Sequence, residues 1–246
     1  MTKLRRSTTI HCLFFGVLLL AGTSRAQTRP PIVEKLAKTY GLDSYGQVDA
    51  IRYTFNLELP ALKVSLSRTW TWEPKTGQVT YEAKDKDGKL VKVTYLRSQI
   101  NNAPANVKDE IEPGFVNDNY WFIFPFHVYW DTSAVVTVKE KQKLPVGKGT
   151  ATLVSVKYPA EVGGYTPGDT WDLFLGPDGR VKEFTYHRGG PKKPSLLSTT
   201  WAGYKQAGPL LVSTDHRGVA DGQSARIFFT NVAVKLAGSD KWMDAQ

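Results

Sequence analysis

Apolar and polar residues alternate along IRYTFNLEL, with Ile51, Tyr53, Phe55, Leu57 and Leu59 on one side and Arg52, Thr54, Asn56 and Glu58 on the other. Successive side chains of a strand point to opposite faces, so this period of two predicts a strand with one wet face. VSLSRTWTW repeats it, placing Val64, Leu66, Trp70 and Trp72 in one row with a single misfit, Arg68. A turn at Pro74–Gly77 and a tight hairpin at Asp87-Gly88 lead through QVTYEAK into KLVKVTYL, which completes an antiparallel meander of four strands. The pattern returns in Ala134–Glu140, Thr150–Tyr158, Thr170–Gly176, Arg180–His187, Leu196–Gln206, Leu210–His216 and Ala225–Leu236, each parted from the next by turn residues. Short connections imply antiparallel neighbours, and about eleven strands in sequence curl over under their own twist.

Helical spacing interrupts the strands in three places. IVEKLAKTY, between Pro30-Pro31 and Gly41, puts Ile32, Val33, Leu36 and Tyr40 on one face and predicts a short amino-terminal helix. Residues Pro104–Glu112 suit a second helix ended by Pro113-Gly114. A third, capped by Asn117 or Asp118, runs through Phe124 and stops at Pro125, with strand character resuming near His127. The expected fold is therefore mainly β: a strongly curved antiparallel sheet or incomplete β-barrel, with the amino-terminal helix and two short helices on its concave side. Residues 27–246 form one domain.

The stretch Phe115–Asp131 packs Phe115, Tyr120, Trp121, Phe122, Phe124, Phe126, Tyr129 and Trp130 into seventeen residues. Rings at this density either plug a core or line a cavity, since an exposed version would be a sticky patch. If they line a cavity, Trp70, Trp72, Tyr120, Trp121, Phe122, Phe124, Phe126 and Trp130 are the expected contacts of a lipid-like guest. Arg68, in the apolar row of its strand, either snorkels to a rim or faces that cavity.

Composition narrows the compartment. The chain opens with a basic leader (Lys3, Arg5, Arg6), an apolar run over Cys12–Ala21 and Ser24-Arg25-Ala26 as a small-x-small site, the layout of a cleaved secretory signal peptide over residues 1–26. That apolar run is too short to cross a bilayer core, which needs about twenty residues. The expected location is the bacterial periplasm or the exterior. Cys12, the one cysteine, lies in the leader, so the mature chain carries no disulfide. Four of the 32 basic residues and none of the 23 acidic ones lie in the leader, leaving a net charge of +5 spread over strand ends. There is no basic stripe interleaved with stacking aromatics, which argues against a nucleic-acid partner.

Candidate chemistry is sparse. His127, His187 and His216, with Asp131 and Asp215 nearby in sequence, could build a metal site for a hydrolase only if the fold joined them, since no pair has ligand spacing. There is no GxSxG elbow and no mature thiol, and Asp169 and Asp172 read as turn residues. No cofactor is expected.

The order of elements, from leader and helix through meander, midway helices and second run of strands, resembles the LolA/LolB-like lipoprotein-carrier superfamily. The stretches Tyr120–Asp131, Gly163–Asp172 and Thr214–His216 are also similar to those of uncharacterised secreted bacterial proteins. The resemblance implies an incomplete barrel that shelters acyl chains beneath helices, with an inward arginine on an early strand, matched by Arg68, holding the helices shut. The expected function is an exported binding protein for a hydrophobic or lipid-like ligand, such as a lipid or lipoprotein carrier, with an envelope protein or membrane surface as further partner. The competing expectations are the metal-assisted hydrolase and a structural or interaction module of the envelope.

Overall fold

The two runs of alternation become the two arms of one antiparallel sheet. The computed structural model describes residues 29–161, 167–190 and 193–246. The whole leader, and residues 163–166 of the stretch Gly163–Asp172, thus lie outside the described residues. The first arm consists of β1 (Val48–Leu59), β2 (Val64–Glu73), β3 (Gln78–Lys84) and β4 (Leu90–Leu96). The second contains β5 (Val135–Lys143), β6 (Thr150–Lys157), β7 (Thr170–Leu175), β8 (Val181–Arg188), β9 (Ser195–Thr200), β10 (Ala202–Ala207), β11 (Leu210–Ala220), β12 (Gln223–Leu236) and β13 (Trp242–Asp244). The strand order is β4-β3-β2-β1-β12-β11-β9-β8-β7-β6-β5, so β1 and β12 join the arms while β4 and β5 remain as edges.

Two differences raise the strand number to thirteen. The predicted strand Leu196–Gln206 breaks at Trp201, whose buried ring turns the chain away from β9, and β10 pairs with β11 instead. The short β13 then pairs with β12, and Gln246 exchanges both backbone hydrogen bonds with Gln206 of β10. Strands β10, β11, β12 and β13 thereby close into a small ring at one margin of the open sheet.

The amino-terminal helix α1 (Pro31–Thr39) forms as its spacing predicts and buries Val33, Leu36 and Ala37. Gly41 follows at φ 106°, a conformation open to glycine, and the short α2 (Leu42–Tyr45) comes next. The Tyr40 hydroxyl accepts from the Val181 amide and donates to Tyr204, whose own proton goes to the Val181 carbonyl, which ties the end of α1 to the second arm.

The two midway helices run into one another. A wide π turn over Val107–Ile111 passes directly into α3 (Glu112–Trp130). Pro113 does not end a helix, because the wide turn relieves the clash of its ring with the carbonyl one turn back. Pro125 does not end one either: α3 kinks ahead of it, at Ile123 (φ −126°, ψ 30°), and continues to Trp130. Asn117 and Asp118 accordingly sit within the helix instead of capping it, and strand structure resumes at Val135.

Ring contacts place α3 in the hollow. Phe115 meets Trp70 of β2 edge-on at 5.5 Å, while Phe124 stacks on Trp171 of β7 at 4.4 Å. Those strands are six positions apart along the sheet, roughly 29 Å if it lay flat at about 4.8 Å per strand. A helix about 10 Å across bridges that distance only because the sheet wraps around it.

Candidate functional site

The amino-terminal half of α3 is held by charge. Arg68 keeps its place in the apolar row of β2 because it has a carboxylate to meet: Nε donates to Asp118 Oδ2 at 2.9 Å and a terminal nitrogen to Oδ1 at 2.6 Å. Asp118 is fully buried and also accepts from the Trp70 indole (2.8 Å) and the Asn117 amide (3.0 Å). Burial pushes the Asp118 carboxyl above the usual carboxylate range, and the Arg68 guanidinium with the hydrogen bonds pulls against that push without overcoming it. The pair therefore fixes position more than it adds stability. Gly114, one turn earlier, makes room for it, since a methyl there would stand 3.1 Å from an Arg68 terminal nitrogen.

A second pin lies six residues upstream. Buried Glu112 accepts from Arg97 Nε at 2.8 Å and from the Tyr95 hydroxyl at 2.7 Å. Each buried acid on α3 thus meets one arginine and one aromatic donor from the first arm.

The carboxy-terminal half is held by rings. Tyr53 stacks on Phe122 at 4.3 Å, Trp121 meets Trp171 and Phe184 at 5.3 and 5.1 Å, and Phe126 stacks on Trp130 at 5.3 Å. Trp121, Phe122, Phe124 and Phe126 are all buried, Trp72 lies at the margin of the core against Phe115, and Trp130 is half-buried against Tyr45. Asp131 closes the helix by accepting from Tyr120 (2.8 Å) and Tyr158 (2.6 Å), and Arg29 caps the last carbonyls, including that of Tyr129 at 2.8 Å. Burial, with Asp131 alongside, raises both phenols, and His127 and the two phenols hold Asp131 below the usual carboxylate range.

Open space adjoins the charged half. A pocket of about 170 Å³ lies between the start of α3 and the sheet, lined by Leu66, Arg68, Trp70, Tyr81, Ile111 and Gly114 among others. It shares Leu66, Arg68 and Tyr81 with an outer slot of about 580 Å³ between β2 and β3. Register shows what makes the slot: β1 and β2 pair out to Leu59–Val64, whereas β2 and β3 pair only as far as Thr69–Glu82. Beyond that point the inner face of the first arm is uncovered, with Leu57, Leu66, Ala83 and Val93 half-buried and Val64 and Val91 exposed.

The predicted residues thus divide. Arg68 and Trp70 line the open space, whereas Trp121, Phe122 and Phe124 face rings of the sheet and Phe126 faces Tyr45 and Trp130. The histidines have separate partners: His127 meets Asn119, His187 meets Asp172 and His216 meets Ser213. Among the described residues no group of three or more His, Cys, Asp or Glu side chains gathers as a metal would need. Sequence reasoning missed Asp118, Glu112, Arg97 and Tyr81 as parts of the site. The one usable signal was Asp118, an acid one turn from Phe122 and one turn from Gly114 at the edge of the aromatic run.

No family model matches this chain, and no curated protein does. Three solved structures follow a similar chain path. A DUF1329 family protein from Desulfovibrio piger is 6% identical, with a TM-score of 0.42 over 85% of this chain and 92% of that one. A protein described as a putative outer membrane lipoprotein-sorting protein domain, from Vibrio parahaemolyticus, is 12% identical, with a TM-score of 0.43 over 85% and 95%. A LolA superfamily protein from Nitrosomonas europaea is 6% identical, with a TM-score of 0.41 over 81% and 92%. The likeness is one of fold. Among the described residues, no helix is long and apolar enough to cross a membrane.

Proposed function

We propose that this protein is an exported, periplasmic or secreted carrier that holds one acyl chain of a lipid-like ligand between the amino-terminal half of α3 and the inner face of β1–β4. The observation that carries the reading is the coincidence of open space and breakable contacts. The inner face continues past α3 as apolar surface, and the part of the helix beside it is held by two buried ion pairs. The kink at Ile123, just past the ring-packed Trp121 and Phe122, interrupts the helix and gives the part before it a hinge. Lifting the amino-terminal half would enlarge the pocket at Arg68 and uncover Trp70, Trp72 and Phe115. Trp121, Phe122, Phe124 and Phe126 then form the inner end of the guest's site, and Tyr120 and Trp130 of the same helix support them, packed on Trp171 and Tyr45 respectively.

The energies are sufficient. A twelve-carbon chain contributes on the order of 10 kcal/mol at about 0.8 per methylene, before the costs of ordering it. Lifting the helix parts two ion pairs whose charges regain water as they separate, which limits the cost of opening, so burial of a long chain can offset it.

Organic extraction of the protein purified from its native envelope fraction tests this. A lipid in near-equal molar amount is expected. An empty extract, together with no uptake of a fluorescent long-chain fatty acid by the purified protein, would leave a structural or interaction module.

A further inference from the structure

We infer that the chain of the guest enters sideways, through the slot between β2 and β3, and that its head group stays at the lysine-bearing rim. This rests on the carrier reading above and adds a route and a head-group class to it.

Three observations converge on the slot. First, the sheet is unzipped there. In continued register Arg68 would face Ala83 and Ser67 would face Lys84, yet neither pairing forms, although β1–β2 and β3–β4 both stay paired alongside. A split between two intact hairpins is an opening each side can widen without losing its own ladder. Second, the slot leads somewhere. Leu66, Arg68 and Tyr81 line both the slot and the pocket under α3, so the two spaces adjoin and only these side chains part the slot from the pocket beside Arg68. Its outer volume of about 580 Å³ falls in the range of sites that enclose small ligands. Third, the surroundings are amphiphilic in the right order. Leu62 and Leu90, 64% and 60% exposed, stand at the two hairpin tips, and Val64 and Val91 are exposed just inside them. Exposed aliphatic side chains in one place are unusual on a monomer and suit contact with a hydrocarbon surface. Lys63, Lys84, Lys86 and Lys89 are exposed at the same tips and outnumber the exposed Asp85 and Asp87 there, so an anionic head would remain hydrated in a net positive rim.

The occupant is an acyl chain and not an added peptide strand. The free length is five residues on β2 (Val64–Arg68) but only Ala83 and Lys84 on β3, too short for an inserted strand to pair on both sides, while the path behind them ends in a pocket lined partly by apolar side chains.

A reversible plug tests the route. In a Cys12→Ser background, Ser67→Cys carries a bulky disulfide-linked label, and Lys148→Cys on the β5–β6 hairpin carries the same label as a control. The probe is a fluorescent long-chain fatty acid, with a zwitterionic single-chain analogue as comparison. Labelling at position 67 should slow uptake at least tenfold relative to the control, thiol reduction should restore it, and the anionic probe should bind more tightly than the zwitterionic one. Ala83→Trp should slow uptake in the same direction without any label. Unchanged uptake by both variants would overturn the slot as the route while leaving the carrier function standing. Equal binding of the two probes would overturn the head-group class alone. Failure of the unlabelled protein to bind either probe would remove the carrier reading itself.

Discussion

The two halves of α3 lie in one hollow but are held there by different physics. Before the kink at Ile123, Asp118 and Glu112 meet Arg68 and Arg97 of the first arm; after it, Phe124 and Phe126 meet rings of the second arm and α2. Ring packing is non-directional and is lost gradually as surfaces part, whereas a buried ion pair is either made or broken. The difference teaches which half can serve as a switch. A helix meant only to fill the barrel would gain more from leucine at position 118 than from an aspartate that burial disfavours.

The sharpest way to break this comparison is to cut each half and then attempt a rescue. Arg68→Leu leaves Asp118 bare in the core and is expected to cost about 3–5 kcal/mol in urea unfolding. Adding Asp118→Leu should recover most of that loss, because the penalty belongs to the unpaired charge. Phe124→Ala should cost a similar amount, about 3–5 kcal/mol, but no second truncation on Trp171 should rescue it. If the Arg68/Asp118 double variant were as unstable as the single one, the pair would be ordinary core and the latch would fail.

Acid separates the two regions next. His216 lies beneath the ring cluster, stacked on Trp201 at 4.0 Å and edge-on to Phe229, which in turn meets Phe122. Ser213 gives its proton to the Ala202 carbonyl, so it can only accept from His216 Nε2. That leaves Nδ1 as the site of any added proton, buried without a hydrogen-bond partner. Burial therefore lowers the His216 pKa from 6.5 to about 3. An unfolded chain takes up the proton near pH 6.5 and the folded one does not, so stability is lost as pH falls from there toward pH 3. The slope approaches about 1.4 kcal/mol per pH unit. Asp118, raised in the folded chain, has the opposite sign: protonation favours the folded state as pH falls. Unfolding titrations of wild type and His216→Phe should differ by about 2 kcal/mol between pH 6.5 and pH 4.5. Matching curves would mean the ring-packed region is no more acid-sensitive than the latched one.

How much of this was legible depended on the range of the contacts. Alternation at Ile51–Leu59 and Val64–Trp72 gave β2 to within a residue and β1 except for its first three residues, because a sheet with one buried face writes its period into the chain. The break at Trp201 was marked only by Gly203, two residues further on at φ 65°; a lone glycine in a strand pattern reads equally as a bulge, and the turn follows from where one ring is buried. Prolines misled at both ends of the helix. Pro113 and Pro125 are ordinary stop signals, and only the surrounding hollow, by rewarding a continuous apolar rod, made a π turn and a kink the cheaper outcome. Arg68 was visible as a misfit in its row, but its partner lay fifty residues away, a pairing that no local pattern encodes. The ring cluster was visible as a whole; its division into packed rings and an open pocket depends on the arrangement of two sheet arms.

The smallest expected effect probes the seam between the halves most directly. Gly114 stands beside the Arg68 guanidinium, and Ala there brings two opposed contributions. Alanine favours the helix by roughly 1 kcal/mol over glycine, while its methyl, 3.1 Å from the guanidinium nitrogen, forces the ion pair to shift by a few tenths of an ångström. Net stability of Gly114→Ala should therefore stay within about 1 kcal/mol of wild type. The informative quantity is the coupling between Arg68 and Asp118 in a double-mutant cycle, which should be weaker in the Gly114→Ala background. Unaltered coupling, with a plain gain in stability, would show that the glycine is not shaped around the arginine, and that the charged half of α3 is no more finely fitted than the ring-packed half.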